Sequence, residues 1–245
     1  MSGELMNESA IIQDSEIVRV VAEQFVSLTQ EVIGAEGRFR LALAGGSTPR
    51  ALYEVLAGQD YRARVDWPRV EFYQGDERAV GPTHADSNWG MADRALIKEI
   101  EAEPHQLFRM EGEGHDPDIS AARYEGVLRR RLPQPDGWGV FDLILLGIGT
   151  DGHTASLFPG TAALEDNHRW VLANHVPALK GHRYTLTFPV LNAAKAVWFL
   201  VTGEEKAGVL RRIIRDRDPA LPATRVAPTN GSVTWFVDET AGKLL

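Results

Sequence analysis

The stretch Leu143-Ile-Leu-Leu-Gly-Ile-Gly-Thr-Asp-Gly-His-Thr-Ala-Ser-Leu-Phe-Pro159 decides how the chain is read. Its first four residues are apolar on both sides of a period of two, the pattern of a central parallel strand covered by helices. Gly147, Gly149 and Gly152 then carry Asp151 and His153 through a loop that Pro159 ends. Open α/β sheets build their sites this way, at the carboxyl ends of strands. Such a loop could hold a dinucleotide, a metal, or a small substrate awaiting acid–base chemistry.

Gly147-Ile-Gly-Thr-Asp-Gly152 matches the G-x-G-x-x-G pattern. That fingerprint has to open a full helix that packs through its third glycine. Pro159 cuts off anything helical after a few residues, and Glu165 and Asp166 fall in an irregular segment, so the nicotinamide reading is rejected. A metal site would need Asp151 and His153 to be joined by His84, His105, His115, His168, His175 or His182. None of these stands in an H-E-x-x-H or similar spacing, so neither a metal nor a cofactor is expected. Histidine titrates near neutrality, and His153 can take a proton from water without extreme tuning. Asp151 would orient its ring or bind a sugar hydroxyl. The plainer alternative leaves His153 as a cap on the following turn.

Composition narrows the classes. A net charge of −8 and a pI near 5.4 argue against a general nucleic-acid binder, although a few cations gathered in one pocket could still take an anionic substrate. The chain contains no cysteine, which excludes disulfides, thiolate metal sites and a cysteine nucleophile. No apolar run is long enough to span a bilayer and the polar, acidic N-terminus is no signal peptide, so a cytoplasmic protein without a membrane partner is expected. Nothing in the sequence chooses between monomer and dimer.

Outward from the central loop, strands and helices alternate along the chain. Residues 1–14 read as a loose acidic leader and residues 15–245 as a single α/β domain, a doubly wound, mostly parallel sheet with helices on both faces. Val18, Val21, Phe25, Leu28 and Val32 mark a first helix, with Ser15 or Asp14 as its cap and Gly34 near its stop. After a short strand over residues 39–44 comes Gly45-Gly46-Ser47-Thr48-Pro49-Arg50. Thr48 reads as an N-cap and Pro49 as the first helical residue. Two glycines and two hydroxyls at a helix start suit a bound phosphate, since the amides there point at the ligand. A second strand ends in Gln74-Gly75-Asp76-Glu77-Arg78, and Ser87-Asn88 begins another helix. Lys206 stands in the first turn of a later helix, where a cation opposes the macrodipole unless an anion is bound there.

Taken together, Ala44-Gly-Gly-Ser-Thr-Pro-Arg50, Gly75-Asp-Glu-Arg78, Ser87-Asn88, the 147–159 loop, Arg183-Tyr-Thr-Leu-Thr187, Leu191-Asn-Ala-Ala194, Thr202-Gly-Glu-Glu-Lys206 and Trp235-Phe-Val-Asp238 resemble the 6-phosphogluconolactonases, from about residue 16 onward. The resemblance implies a metal-independent hydrolase of the oxidative pentose phosphate pathway that opens 6-phosphoglucono-δ-lactone to 6-phosphogluconate, on a fold shared with glucosamine-6-phosphate deaminase. It implies that Gly45, Gly46, Ser47 and Thr48, with Lys206 and Arg183, hold the phosphate. Asp76 and Asn88 would line the substrate, and His153, positioned by Asp151, would be the base. Arg78 or loop amides near Gly149 would stabilise the oxyanion, and the duties of Arg78 and Arg183 could be exchanged. The sequence departs mildly at Gly81, where a proline often precedes Pro82, and at Tyr184, which replaces a usual aliphatic. The competing activities are a deaminase-like isomerase and a non-catalytic sugar-phosphate sensor. Against the first, Ser156-Leu157-Phe158 stands where a deaminase would carry its glutamate. Against the second, His153 is present and no basic helix–turn–helix is.

Overall fold

A computed structural model describes residues 10–114, 116–179 and 181–245. In chain order the elements are β1 (Ala10–Gln13), α1 (Ile17–Glu36), β2 (Phe39–Leu43), α2 (Ser47–Ala57), the one-turn α3 (Gln59–Arg62), β3 (Val70–Gln74) and β4 (Asp76–Arg78). Then come α4 (Asn88–Ala92), prolonged by a π-helical turn over Asp93–Ile97, α5 (Pro117–Arg131), β5 (Leu143–Leu146), β6 (Val171–Val176) and β7 (Gly181–Leu186). The short α6 (Phe188–Leu191), β8 (Ala196–Val201), α7 (Ala207–Ile214) and β9 (Ser232–Val237) complete the series. Six strands form one parallel sheet in the order β1-β9-β8-β5-β2-β3, and β4, β7 and β6 form a small antiparallel sheet beside it.

The apolar run Leu143–Leu146 lies in the middle of the large sheet. Alternate side chains of a strand face opposite ways, and β5 divides accordingly. Leu143 and Leu145 join the core under α1 and α2, with Phe25, Leu41, Leu52 and Trp198. Ile144 and Leu146 join the core under α5 and α7, with Tyr124, Leu128, Phe199 and Leu210. The expected doubly wound sheet with helices on both faces is therefore present. All four β5 side chains are buried, which contributes on the order of 8 kcal/mol at about 2 kcal/mol each. No helix among the described residues is long and apolar enough to cross a membrane.

Three local expectations need correcting. Residues 10–13, assigned to the leader, form a sheet strand in register with β9, Ala10 opposite Thr234 and Gln13 opposite Val237. Their near-neutral, partly apolar Ala-Ile-Ile-Gln sequence suits an edge strand better than a solvated tail. Residues 1–9 of that leader, and His115, lie outside the described residues. Helix α1 runs past Gly34 and stops at Gly37, whose positive φ of 77° supplies the left-handed C-cap and whose amide donates to Ile33 O. Thr48 is not the cap of α2. Gly46, at φ 103°, takes that place and lets the helix begin at Ser47.

Candidate active site

Neighbouring strands β2 and β5 deliver the two glycine loops, and their onward connections diverge. From β2 the chain passes through α2 to β3 at one edge, whereas from β5 it returns through the small sheet to β8 on the other side. Ligand crevices in open α/β sheets lie at such a divergence.

The loop after β5 holds its histidine firmly. Asp151 Oδ1 accepts the His153 amide at 3.1 Å and lies 2.6 Å from His153 Nδ1. A carboxylate at that distance places the ring proton on Nδ1, which leaves Nε2 as a free acceptor. Burial pushes the Asp151 carboxyl up, but the His153 amide, charge and ring more than offset it, so Asp151 titrates below its ordinary value. Phe158 stacks on the imidazole, with ring centroids 4.2 Å apart. The His153 side chain is still 30% exposed, so a substrate can reach it. Gly149 leaves the space the ring occupies, because a Cβ there would stand 2.1 Å from Nδ1. Its amide donates to His153 O at 2.9 Å. The Gly149 amide, expected as an oxyanion donor, is therefore already committed.

The loop is pinned further on. Ala155 has φ 46°, a left-handed conformation that costs a residue with a Cβ roughly 1–2 kcal/mol. The next residue is held at three points. The Ser156 amide donates to Thr185 Oγ1, its carbonyl accepts from Asn174 Nδ2, and its hydroxyl donates to Asp76 Oδ2 at 2.7 Å. These contacts fix the loop against the small sheet despite the strain.

On that sheet Asp76 pairs with Thr185 and Arg78 with Arg183, so these four share one face. Like charges directly opposite each other destabilise a ladder. The two guanidiniums are nonetheless tied down, Arg78 to the carbonyl of Asp86 and Arg183 to that of His182. Burial, and then the charge of Arg78, lower the Arg183 pKa. A cation pair held in this way favours an anion between its members. Asp76 is pushed up, first by burial, with Ser156 and Arg78 acting in the opposite sense. A carboxyl whose folded pKa is raised adds stability below its unfolded value and loses it as pH climbs through the folded pKa. Asp76→Asn should therefore gain melting temperature relative to wild type as pH rises from 4 to 8. One pKa unit corresponds to about 1.4 kcal/mol, so thermal melts across that range can read the trend. A constant difference would remove the raised carboxyl from consideration.

The loop after β2 lies on the other side of Asp76. Asn88 Nδ2 donates to Asp76 O and Oδ1 at 3.1 and 3.2 Å. Its amide also fills the space beside Gly45, where a Cβ would come within 1.9 Å of Asn88 Oδ1. The first amides of α2 have no intrahelical partner. Thr48 Oγ1 meets Thr202 Oγ1 at 2.6 Å, which joins this helix start to the end of β8. Gly203, at φ 98°, then opens the turn Glu204–Lys206, and its amide is anchored on Asp238 Oδ2. Lys206 ends that turn and caps α7, half-buried and without a carboxylate partner among the described residues. The structure thus groups Asp151, His153, Asp76, Arg78, Arg183, Asn88 and Gly149 closely. It links Gly45, Gly46, Ser47, Thr48 and Lys206 to them through Asn88 and Thr202.

Sequence reasoning gave no task to Glu77, to Asn174, or to Ser156 and Phe158 individually. The partners of Ser156 and Asn174 are far away along the chain, and no local pattern marks them.

The family described as glucosamine-6-phosphate isomerases/6-phosphogluconolactonase matches residues 13–235. A 6-phosphogluconolactonase of Haemophilus influenzae is 35% identical over 229 residues, covering 92% of this chain and 94% of that one. The solved 6-phosphogluconolactonase from Trypanosoma cruzi superposes with a TM-score of 0.86 at 30% identity, over 100% of this chain and 99% of that one. A monomeric glucosamine-6-phosphate deaminase shares the fold, with a TM-score of 0.79 at 20% identity over 96% of this chain and all of its own. With the family match spanning nearly the whole chain and the site loops falling inside it, the chain belongs to the glucosamine-6-phosphate isomerase/6-phosphogluconolactonase family.

Proposed function

We propose that the protein hydrolyses 6-phosphoglucono-δ-lactone to 6-phosphogluconate, as the lactone-opening step of the oxidative pentose phosphate pathway, with His153 as the base. Kinship supports the activity, since relatives named 6-phosphogluconolactonase match at 32–38% identity over most of the chain. For the mechanism the carrying observation is the 2.6 Å contact between Asp151 and His153 Nδ1. Nε2 takes a proton from water as its oxygen attacks the lactone carbonyl. A guanidinium of the Arg78–Arg183 pair meets the developing oxyanion. When the ring C–O bond breaks, the imidazolium returns its proton to the leaving oxygen, which leaves one hydroxyl and one carboxylic acid, and the acid then ionises to the carboxylate by releasing its proton to solvent. The helix-start amides of Ser47 and Thr48, with Lys206, take the phosphate at the other end. A substrate that carries a phosphate at one end and develops a second negative charge at the other suits a site with the Arg78–Arg183 pair and a separate helix start with Lys206.

The family's amine chemistry is the competing activity. Phe158, which stacks on the His153 ring directly before Pro159, stands at the loop position where a deaminase would need a glutamate. An assay with freshly prepared lactone separates the two. With chelator present and the spontaneous rate subtracted, the purified protein should speed lactone loss and release no ammonia from glucosamine 6-phosphate. Ammonia release without lactone hydrolysis would reverse the assignment.

A further inference from the structure

Glu77 lies between two residues of the site and takes no part in the chemistry outlined above. Alternation along β4 sends Asp76 and Arg78 to the site face and Glu77 to the other. There it is only 1% exposed, and among the described residues it has no ion-pair partner. Arg109 and Arg183 act on its charge at longer range, and hydrogen bonds are its direct partners. Oε1 accepts the amides of Arg78 at 2.8 Å and Asn88 at 2.7 Å. Oε2 accepts Gln74 Nε2 at 2.9 Å, Ser87 Oγ at 3.0 Å and the Trp89 amide at 2.8 Å. All five are donors, and hydrogen bonds to an ionised acceptor are about twice as strong as neutral ones.

These donors come from the end of β3, from β4 and from the start of α4, so one carboxylate closes both ends of the 79–86 loop. The start of α4 carries Asn88, whose side chain holds Asp76 and packs beside Gly45. We propose that Glu77 is a positioning residue that sets Asn88 against Asp76 and the Gly45 turn, and that it does so through its negative charge as well as its shape. A glutamine of the same shape would turn an NH2 group toward donors. Ser87 Oγ has a second lone pair and can answer by accepting, but the Trp89 amide and the Gln74 NH2 only donate, and Gln74 cannot flip without losing the Met110 amide that its Oε1 accepts. The inference rests on the lactonase assignment for its assay.

The test compares wild type with Glu77→Gln, Glu77→Asp, Asn88→Ala and the Glu77→Gln/Asn88→Ala double variant, each well below its own melting temperature. Glu77→Gln should lower kcat/KM by about 10²-fold, the size of effect that a misplacement of about 1 Å can have. Glu77→Asp, which keeps the charge, should remain within about tenfold of wild type on the same scale. Action through Asn88 requires coupling, so Glu77→Gln should cost clearly less in the Asn88→Ala background than alone. The proposal is overturned if Glu77→Gln stays near wild type, if Glu77→Asp is as impaired as Glu77→Gln, or if the two sites are additive. Should Glu77→Gln fail to fold, the same cycle run with Glu77→Asp decides by coupling or additivity. A wild type inactive on the lactone removes the lactonase assignment and this inference together. An active wild type with additive variants removes only the inference.

Discussion

Replacing His153 by alanine lowers kcat for lactone hydrolysis by about 10²–10⁴ and leaves KM within a few-fold, the usual effect of losing a general base. The asymmetry follows from the site. The imidazole contacts Asp151 and Phe158, while the groups assigned to the phosphate lie on the far side of Asp76. Ground-state binding therefore survives the substitution, and an interaction made mainly in the transition state is lost. The partly exposed ring can also be removed without emptying a core, so melting temperature should barely change. Because the lactone opens spontaneously, the background has to be measured at each pH. A variant with near-normal kcat would take His153 out of the base role.

Gly149→Ala is the second large effect, and it acts without replacing either member of the pair. The added methyl would lie 2.1 Å from His153 Nδ1 and 2.5 Å from Asp151 Oδ1, both impossible contacts. Gly149 is not among the positive-φ residues, so alanine meets no backbone penalty there. The exposed dyad should give way, and a displacement of about 1 Å at the reacting group costs about 10²-fold in kcat. Combined with His153→Ala, Gly149→Ala should add almost nothing, since the group it displaces is already gone. Full activity in the single variant would show that catalysis does not need the ring where the structure places it.

Much of the fold was legible because its signals are local. The apolar run of β5, the glycine pair after β2 and the proline that stops the histidine loop each act within a few residues. The Asp151–His153 contact was legible for the same reason, spanning only two positions. Thr48 misled because a hydroxyl before a proline is a common cap, whereas Gly46 reaches a φ that no threonine favours. Glu77 was hidden by its partners, three of them ten to twelve residues later, and by the turn of one strand residue that points it away from its neighbours. The Ser156–Asp76 contact crosses 80 positions, and no periodicity anticipates it. Strand β1 was missed because four residues with no alternating pattern are too few to read.

That strand has a consequence for biosynthesis. Among the described residues β1 pairs only with β9, roughly 220 residues further along the chain. At a synthesis rate of about 5–20 residues per second, β1 waits roughly 10–45 s for its partner to be made. Until then Ile11 and Ile12 have no strand to lie against, and an unpaired apolar strand is a template for association with other chains. The large sheet is thus completed at its β1 edge only after synthesis has passed β9, and nascent chains are most open to mispairing before that moment.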